Sequence, residues 1–223
     1  MLEKEKRLTE TSDAIAAARR QLPGVKVEND YEFLSVADNS KATLGDLFEG
    51  RRQLVVHHVM FDPSWDAACS ACSVGVDDIG NLSHLHSRDT TLALVSRAPV
   101  GKIAAFKKRM GWSKDIPWYS SFGSDFNYDF HVTMDESKAT PSYNYVPEEV
   151  MKKTPKFSHR LKGEQSGYSV FYKTDEGDIL HTYGTFARGI ERVVGTYGYL
   201  DITPLGRGSE GCDIAKFDYH DQY

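Results

Sequence analysis

The sequence predicts an α/β protein in which a mixed sheet is flanked by helices, with a helical arm at the N-terminus. Three observations lead there. Two apolar, β-branched runs, Leu54 to Met60 and Thr90 to Val95, are each followed by a stretch of helical periodicity. Strand, helix, strand and helix therefore alternate, which implies parallel strands joined by right-handed crossovers. Further on, Tyr168 to Lys173 (YSVFYK) and Ile179 to Tyr183 (ILHTY) flank the turn Asp175-Glu176-Gly177-Asp178; such a hairpin adds antiparallel strands to the sheet. Finally, the first two dozen residues carry charges throughout and a narrow apolar stripe.

The bulk numbers set the frame. With 223 residues and 40% hydrophobic content, the chain has enough apolar side chains for one sizeable core. The expected organisation is an arm at residues 1–30 and one domain at residues 31–223, interrupted by a polar excursion at about 135–165. A net charge of -5 without a long run of Lys or Arg argues against nucleic acid or anionic membranes as partners. The N-terminus lacks the apolar centre of a signal peptide, and no apolar run is long enough to span a bilayer. The expected compartment is the cytoplasm. Three cysteines are too few for a stapled scaffold, so in a reducing compartment a close pair is read as catalytic or metal-binding.

Taken in order, Leu8, Ile15 and Leu22 recur at heptad spacing in a helix that ends at Pro23-Gly24. The stripe is expected to pack on the chain's own core; the other reading is a homodimer formed through this helix. Tyr31 to Val36 alternates as a half-buried strand, and Lys41 to Phe48 reads as a turn and a short helical stretch. Leu54 to Met60 is a buried strand in which His57 and His58, as neighbours, point to opposite faces as core histidines. Val76, Ile79, Leu82 and Leu85 place one helix over Val74 to Leu85. After the strand Thr90 to Val95, the residues Val100, Ile103, Phe106 and Met110 form one face of a helix that Gly111 stops. Short strands are expected at Trp118 to Phe122 and within Phe126 to Val132. Asp135 to Gln165 contains three prolines and no clear period, and reads as a flap or insertion. After the hairpin comes a helix at about Ile190 to Tyr197, then a tail from Thr203.

Chemistry concentrates at Cys69-Ser70-Ala71-Cys72. Two thiols here sit where a strand hands over to a helix, and the free N–H groups and dipole of a helix start stabilise a thiolate. Cys69, nearer the start, is the candidate nucleophile; Cys72, one helical turn on, is the candidate resolving thiol. This chemistry needs no cofactor and no metal. The flanking Asp62 and Asp66 oppose it, since nearby carboxylates raise a thiol pKa unless they turn to solvent. A zinc site would combine Cys69 and Cys72 with His84 and His86, but the HxH spacing is closer than the usual three to five residues. Arg97, Ser120, Ser121, Asp125, Asn127, His181 and Arg188 fall where strand ends gather, and are read first as turn and capping residues. Cys212 is left over.

The blocks HHVMFDPSWDAACSACS (57–73), LVSRAPVGKIAAFKKRMGW (94–112), SSFGSDFNYDF (120–130), HTYGTFARGIE (181–191) and LDITPLGR (200–207) resemble a family of uncharacterised, mainly bacterial thioredoxin-like proteins. That resemblance implies a thioredoxin-like fold and a dithiol-disulfide oxidoreductase acting on a disulfide-containing protein or a small molecule. Two departures qualify it. Thioredoxins carry a cis-proline before the strand that faces the dithiol, whereas this chain has Gln165-Ser166-Gly167-Tyr168. The Gly167–Tyr168 peptide is therefore expected to be trans, with Gly167 passing close to the thiols and Tyr168 screening them. Docking of extended polypeptides should weaken, which tilts the substrate toward small disulfides or peroxides. Peroxiredoxins need Thr or Ser three residues, and Pro seven residues, ahead of the reactive cysteine; Asp66 and Asp62 stand there. A peroxiredoxin-like reductase of small peroxides is the second enzyme reading, and a binding module with vestigial or zinc-holding cysteines the non-enzymatic one.

Overall fold

The computed structural model describes residues 1–154, 160–208 and 217–223. In chain order the helices are α1 (Leu2–Arg19), α2 (Ser70–Asp77), α3 (Ser83–His86), α4 (Val100–Arg109), α5 (Phe126–Asp129) and α6 (Glu148–Lys153), with a further helix at Gly195–Asp201. The strands are β1 (Val25–Lys26), β2 (Glu32–Ser35), β3 (Lys41–Thr43), β4 (Gln53–His58), β5 (Thr90–Ser96), β6 (Trp118–Ser120), β7 (Thr133–Met134), β8 (Ser142–Tyr143), β9 (Val146–Pro147), β10 (Gly163–Glu164), β11 (Gly167–Lys173) and β12 (Ile179–Phe186). One eight-stranded sheet has the order β1-β12-β11-β4-β5-β6-β2-β3. β4, β5 and β6 run parallel, while β11 pairs antiparallel with both β4 and β12. A parallel strand–helix–strand unit whose first strand borders an antiparallel hairpin is the thioredoxin-like arrangement, and the mixed sheet follows from it.

The period of two along β4 and β5 divides the core. Leu54, Val56, Ala93 and Val95 face a cluster with Phe33, Phe48, Phe126 and Phe171. Leu94, one residue out of step, faces Phe61, Cys72, Val76, Ile103, Phe106 and Trp118 on the side of α2 and α4. His57 and His58 obey the same rule. His57 stacks on Tyr168 with ring centroids 4.3 Å apart, under α2, where a Cβ on Gly75 would stand 3.3 Å from its ring. His58 sits on the other face beside Phe126, its Nε2 2.8 Å from the Ser169 hydroxyl. Burial pushes both imidazoles down to about 3, so they stay neutral core groups.

Several elements differ from their expected form. α1 ends at Arg19, before Pro23-Gly24, and buries no residue. Its stripe does not pack on the core: Leu8 and Ile15, with Leu22 beyond the helix end, are exposed. The side that meets the domain is polar, with the Arg192 guanidinium donating to Ser12 Oγ (2.6 Å) and Arg19 lying over the Tyr183 ring. Val25 and Lys26, within the stretch read as the arm, form the edge strand of the main sheet. Lys41 to Phe48 divides into β3 and a 3-10 turn at Asp46–Phe48.

The helix expected over Val74 to Leu85 is two helices. α2 starts earlier, at Ser70, and stops where the Asp78 carboxylate turns to accept the Thr196 N–H (2.9 Å) and hydroxyl (2.8 Å). Asn81 Oδ1 then accepts the Ser83 N–H (2.9 Å) and starts α3. Phe126 to Val132 holds the short helix α5 in place of a strand, with Phe126 and Phe130 on one side as i and i+4 neighbours require. The excursion joins the domain through a small separate core, in which Tyr143 and Met151 pack with Val132, Met134 and Phe186. Ile190 to Tyr197 divides at the extended, buried Val194 into a 3-10 segment and the Gly195–Asp201 helix. Cys212 lies outside the described residues. Among those residues, no helix is long and apolar enough to cross a membrane.

Candidate active site

The loop from β4 into α2 is wound by its own side chains. Asp62 Oδ1 accepts both the Ser64 N–H (2.8 Å) and the Ser64 hydroxyl (2.6 Å). Lys102, from α4, donates to the carbonyls of Pro63 (2.9 Å) and Trp65 (2.8 Å). The loop ends at Cys69, whose N–H is bonded to the Met60 carbonyl at 2.9 Å. Cys69 is the N-cap of α2, with φ -56° and ψ 130°, and its carbonyl accepts the Ser73 N–H and hydroxyl, both at 3.0 Å.

That position determines the thiol chemistry. Cys69 Sγ accepts a hydrogen bond from the Cys72 thiol, and the backbone N–H groups of Cys72 and Ala71 also point to it. With the Arg160 charge added, these outweigh partial burial and bring the Cys69 pKa down to about 6. Cys72 moves the other way: the hydrogen bond it gives to Cys69, its burial and the neighbouring thiolate all hold its proton on. One thiol is thus poised as a thiolate, and the other retains a proton against it. Both are free cysteines.

The expected opposition from carboxylates is absent at these positions. Asp66 is fully in solvent, apart from a 4.0 Å approach to Lys102. Asp62 is occupied by Ser64 and by the Arg97 guanidinium.

At the start of β11 the peptide has its expected trans form, but the side chains are arranged differently from expectation. No peptide bond is cis among the described residues, the one between Gly167 and Tyr168 included. Tyr168 does not stand over Cys69: it lies under α2 against His57, where a Cys72 thiolate would oppose its ionisation. The residue that reaches the dithiol is Ser166. Its hydroxyl donates to the His58 carbonyl at 3.3 Å and lies close enough to Cys72 to favour that thiolate. A Cβ on Gly167 would strike the Phe186 ring at 2.5 Å, so packing of β11 against Phe186 is what requires glycine there.

The remaining candidates do not converge on the thiols. Arg97 binds Glu164 Oε1 through Nε (2.8 Å) and Nη2 (2.7 Å) and reaches Asp62, tying the loop before α2 to β10. Ser120 donates to the Ala98 carbonyl (2.6 Å), and Ser121 to Asn127 Oδ1 (2.7 Å). Asp125 pairs with Lys138, and Arg188 with Glu191. His181 packs against Phe130 and Phe171 in the aromatic cluster where His58 sits. His84 and His86 lie on α3, and no group of three or more His, Cys, Asp or Glu among the described residues could hold a metal ion.

Three residues escaped the sequence reading. Ser166 stands in the stretch compared with the cis-proline, two residues before Tyr168, where proline was sought. Arg160, in the excursion, donates to the Gln165 side chain at 3.0 Å and stacks on Tyr143. Tyr219, in the tail, donates to the Ala68 carbonyl at 2.6 Å. The last two come from segments with no period and carry no local signal of their role.

A mixed sheet of this topology, with a Cys-x-x-Cys pair at the first turn of the helix after its central strand, defines a thioredoxin-like protein with a free dithiol. The chain belongs to the family described as bacterial protein of unknown function (DUF899), whose model matches residues 1–223. No curated protein matches it. Among solved structures, it is similar to the peroxidoxin BcpB from Mycobacterium tuberculosis, at 15% identity and a TM-score of 0.48, covering 78% of this chain and 95% of that one. It is similar to Enterococcus faecalis AhpC at 12% identity and a TM-score of 0.46, covering 86% and 99%. A third is the reduced 2-Cys peroxiredoxin of Plasmodium vivax, at 12% identity and a TM-score of 0.47, covering 78% and 79%.

Proposed function

We propose that the protein is a cytoplasmic thiol-disulfide oxidoreductase working through Cys69 and Cys72, with a small disulfide as substrate. The observation that supports this most is the division of the pair: Cys69 is lowered to about 6 at the helix N-cap while Cys72 is raised. Near neutral pH the Cys69 thiolate attacks one sulfur of the substrate disulfide. A Cys69–substrate bond forms, and the other half leaves as a thiolate that takes up a proton. Cys72 then gives up its proton, helped by the Ser166 hydroxyl and the Met60 N–H. Its thiolate attacks Cys69 Sγ, closing the Cys69–Cys72 bond and releasing the second half as a thiol. Two electrons pass from the dithiol to the substrate. The same steps run backward when the protein is recharged by a donor dithiol.

Arg160 favours a second reading. A guanidinium acting on the thiolate also suits a peroxide: Cys69 would attack the terminal oxygen, giving a sulfenic acid and an alcohol or water. Cys72 would then condense with the sulfenic acid, releasing water and forming the same disulfide.

One experiment separates these. The reduced protein is mixed with hydroxyethyl disulfide or with hydrogen peroxide, and the loss of thiols is followed over time. The first reading predicts that Cys69 and Cys72 are lost together, faster with the disulfide, and that Cys69→Ser abolishes the reaction. Under the same disulfide, Cys72→Ser should stop at a mixed disulfide on Cys69, visible by mass spectrometry. Faster loss with peroxide would favour the second reading. Unchanged reactivity in Cys69→Ser would contradict both.

A further inference from the structure

We propose that residues Phe217–Tyr223 form a strap over the Cys69 side of the dithiol and limit the size of what reaches the thiolate. This rests on the dithiol reading for its consequence, but not for its test. The strap folds back on itself: the Gln222 N–H bonds the Tyr219 carbonyl at 2.9 Å, and the Asp218 N–H bonds the Tyr223 hydroxyl at 3.0 Å. It is fastened at three points. Tyr219 donates to the carbonyl of Ala68, the residue before the nucleophile, at 2.6 Å. Arg109 binds Asp221 with both Nε (2.8 Å) and Nη2 (2.9 Å) and lies over the Tyr219 ring. His220 meets Asp77, at the end of α2, at 2.7 Å.

The placement explains what such a strap would exclude. The Tyr219 ring stands edge-on to Phe106, 5.6 Å between centroids, in the apolar cluster that also takes in Cys69. It is close enough that a Cys69 thiolate opposes its ionisation. A disulfide within a polypeptide brings chain on both sides of the sulfur under attack. Here one flank is filled by the strap, and the Ala68 carbonyl, a backbone acceptor beside the nucleophile, is already taken. A small disulfide brings no flanking chain and meets neither obstacle. The outer fastenings lie partly in solvent, which screens them, so the strap is a filter that large partners must displace.

Labelling tests this without requiring any redox activity. In a Cys212→Ser background, Cys69 is alkylated with iodoacetamide and separately with a polyethylene-glycol maleimide, in the parent, in Tyr219→Ala and in a chain ending at residue 216. Arg109→Ala serves as a second route to strap release, and thermal melting of each variant checks that it folds. Release of the strap should speed the bulky reagent by about fivefold, the scale of one net hydrogen bond. Iodoacetamide should change by less than about twofold, on the same rate arithmetic. Equal acceleration of both reagents, no acceleration, or slower labelling by both would overturn the filter. Reduction of insulin and of hydroxyethyl disulfide by the same proteins reads the consequence. If neither disulfide reacts with any variant, the dithiol reading fails while the labelling result still stands.

Discussion

An ordinary cysteine is mostly protonated at neutral pH; Cys69 is held below that by donors that converge on one sulfur. The Cys72 thiol, the first N–H groups of α2 and the Arg160 charge all favour the thiolate. Iodoacetamide labelling of Cys69 should therefore follow a pH profile with its midpoint near about 6. The sign is fixed by the chemistry: the thiolate reacts, so the rate rises as pH passes upward through the folded pKa and levels above it. Arg160→Met should move the midpoint up and slow labelling at pH 7, while Lys in its place should restore part of the effect. A profile that does not move, or preferential labelling of Cys72, would show that the division of roles is misassigned. At this scale the pair itself was legible, because spacing and position after a strand name it. Ser166, Arg160 and Tyr219 were not, since each acts from a distant segment whose own pattern is silent about where it lands. Asp62 and Asp66 fail to oppose the thiolate because Arg97 engages the first and solvent the second, and neither partner is visible in the local pattern.

Among the elements, the legible ones have a strong internal period. β4, β5, α4 and the β11–β12 hairpin lie where alternation or helical spacing placed them. The misread ones were decided by contacts from elsewhere. Asp78 ends α2 by accepting from Thr196, which is 118 residues away in sequence; Phe126 and Phe130 satisfy an aromatic cluster from a helix as well as they would from a strand. α1 is the converse case, a periodic stripe that finds no core: its contacts with the rest of the chain are polar, and it buries nothing. Removing residues 2–20 should therefore lower helical circular dichroism but shift the thermal midpoint by less than about 4 °C, since exposed polar contacts carry roughly 0–1 kcal/mol. A large drop would mean that the stripe is covered in solution. Sedimentation of the same pair of proteins would then show whether a second copy covers it.

Across the whole molecule, the mixed sheet gathers the loop before α2, the segment before β11 and the tail onto one end of β4. Arg97 links the first two through Asp62 and Glu164, and Thr133 donates to the same Glu164. Glu164 is 7% exposed, and burial raises its pKa against the pull of Arg97. Arg97→Ala strands a buried carboxylate and should cost about 3–5 kcal/mol, the range for breaking a buried pair. Urea denaturation measures it, and Glu164→Gln in the same background should recover part of the loss. A cost below about 1 kcal/mol, the ceiling for an exposed pair, would show that the cluster does not brace the loop. The thioredoxin-like frame was readable from the order of strands and helices. The tail's return to the dithiol was not, since Tyr219 and Asp221 are distant in sequence from Ala68 and Arg109.

The central claim is that Cys69 and Cys72 exchange two electrons as one unit. Its most direct test equilibrates the protein in mixtures of reduced and oxidised glutathione, quenches in acid, alkylates the free thiols and weighs the peptide that carries both cysteines. One transition is expected, in which both thiols disappear together and the peptide loses two hydrogens. Thiols that stay free across the whole range, or glutathione that remains attached to one cysteine while the other stays reduced, would contradict it.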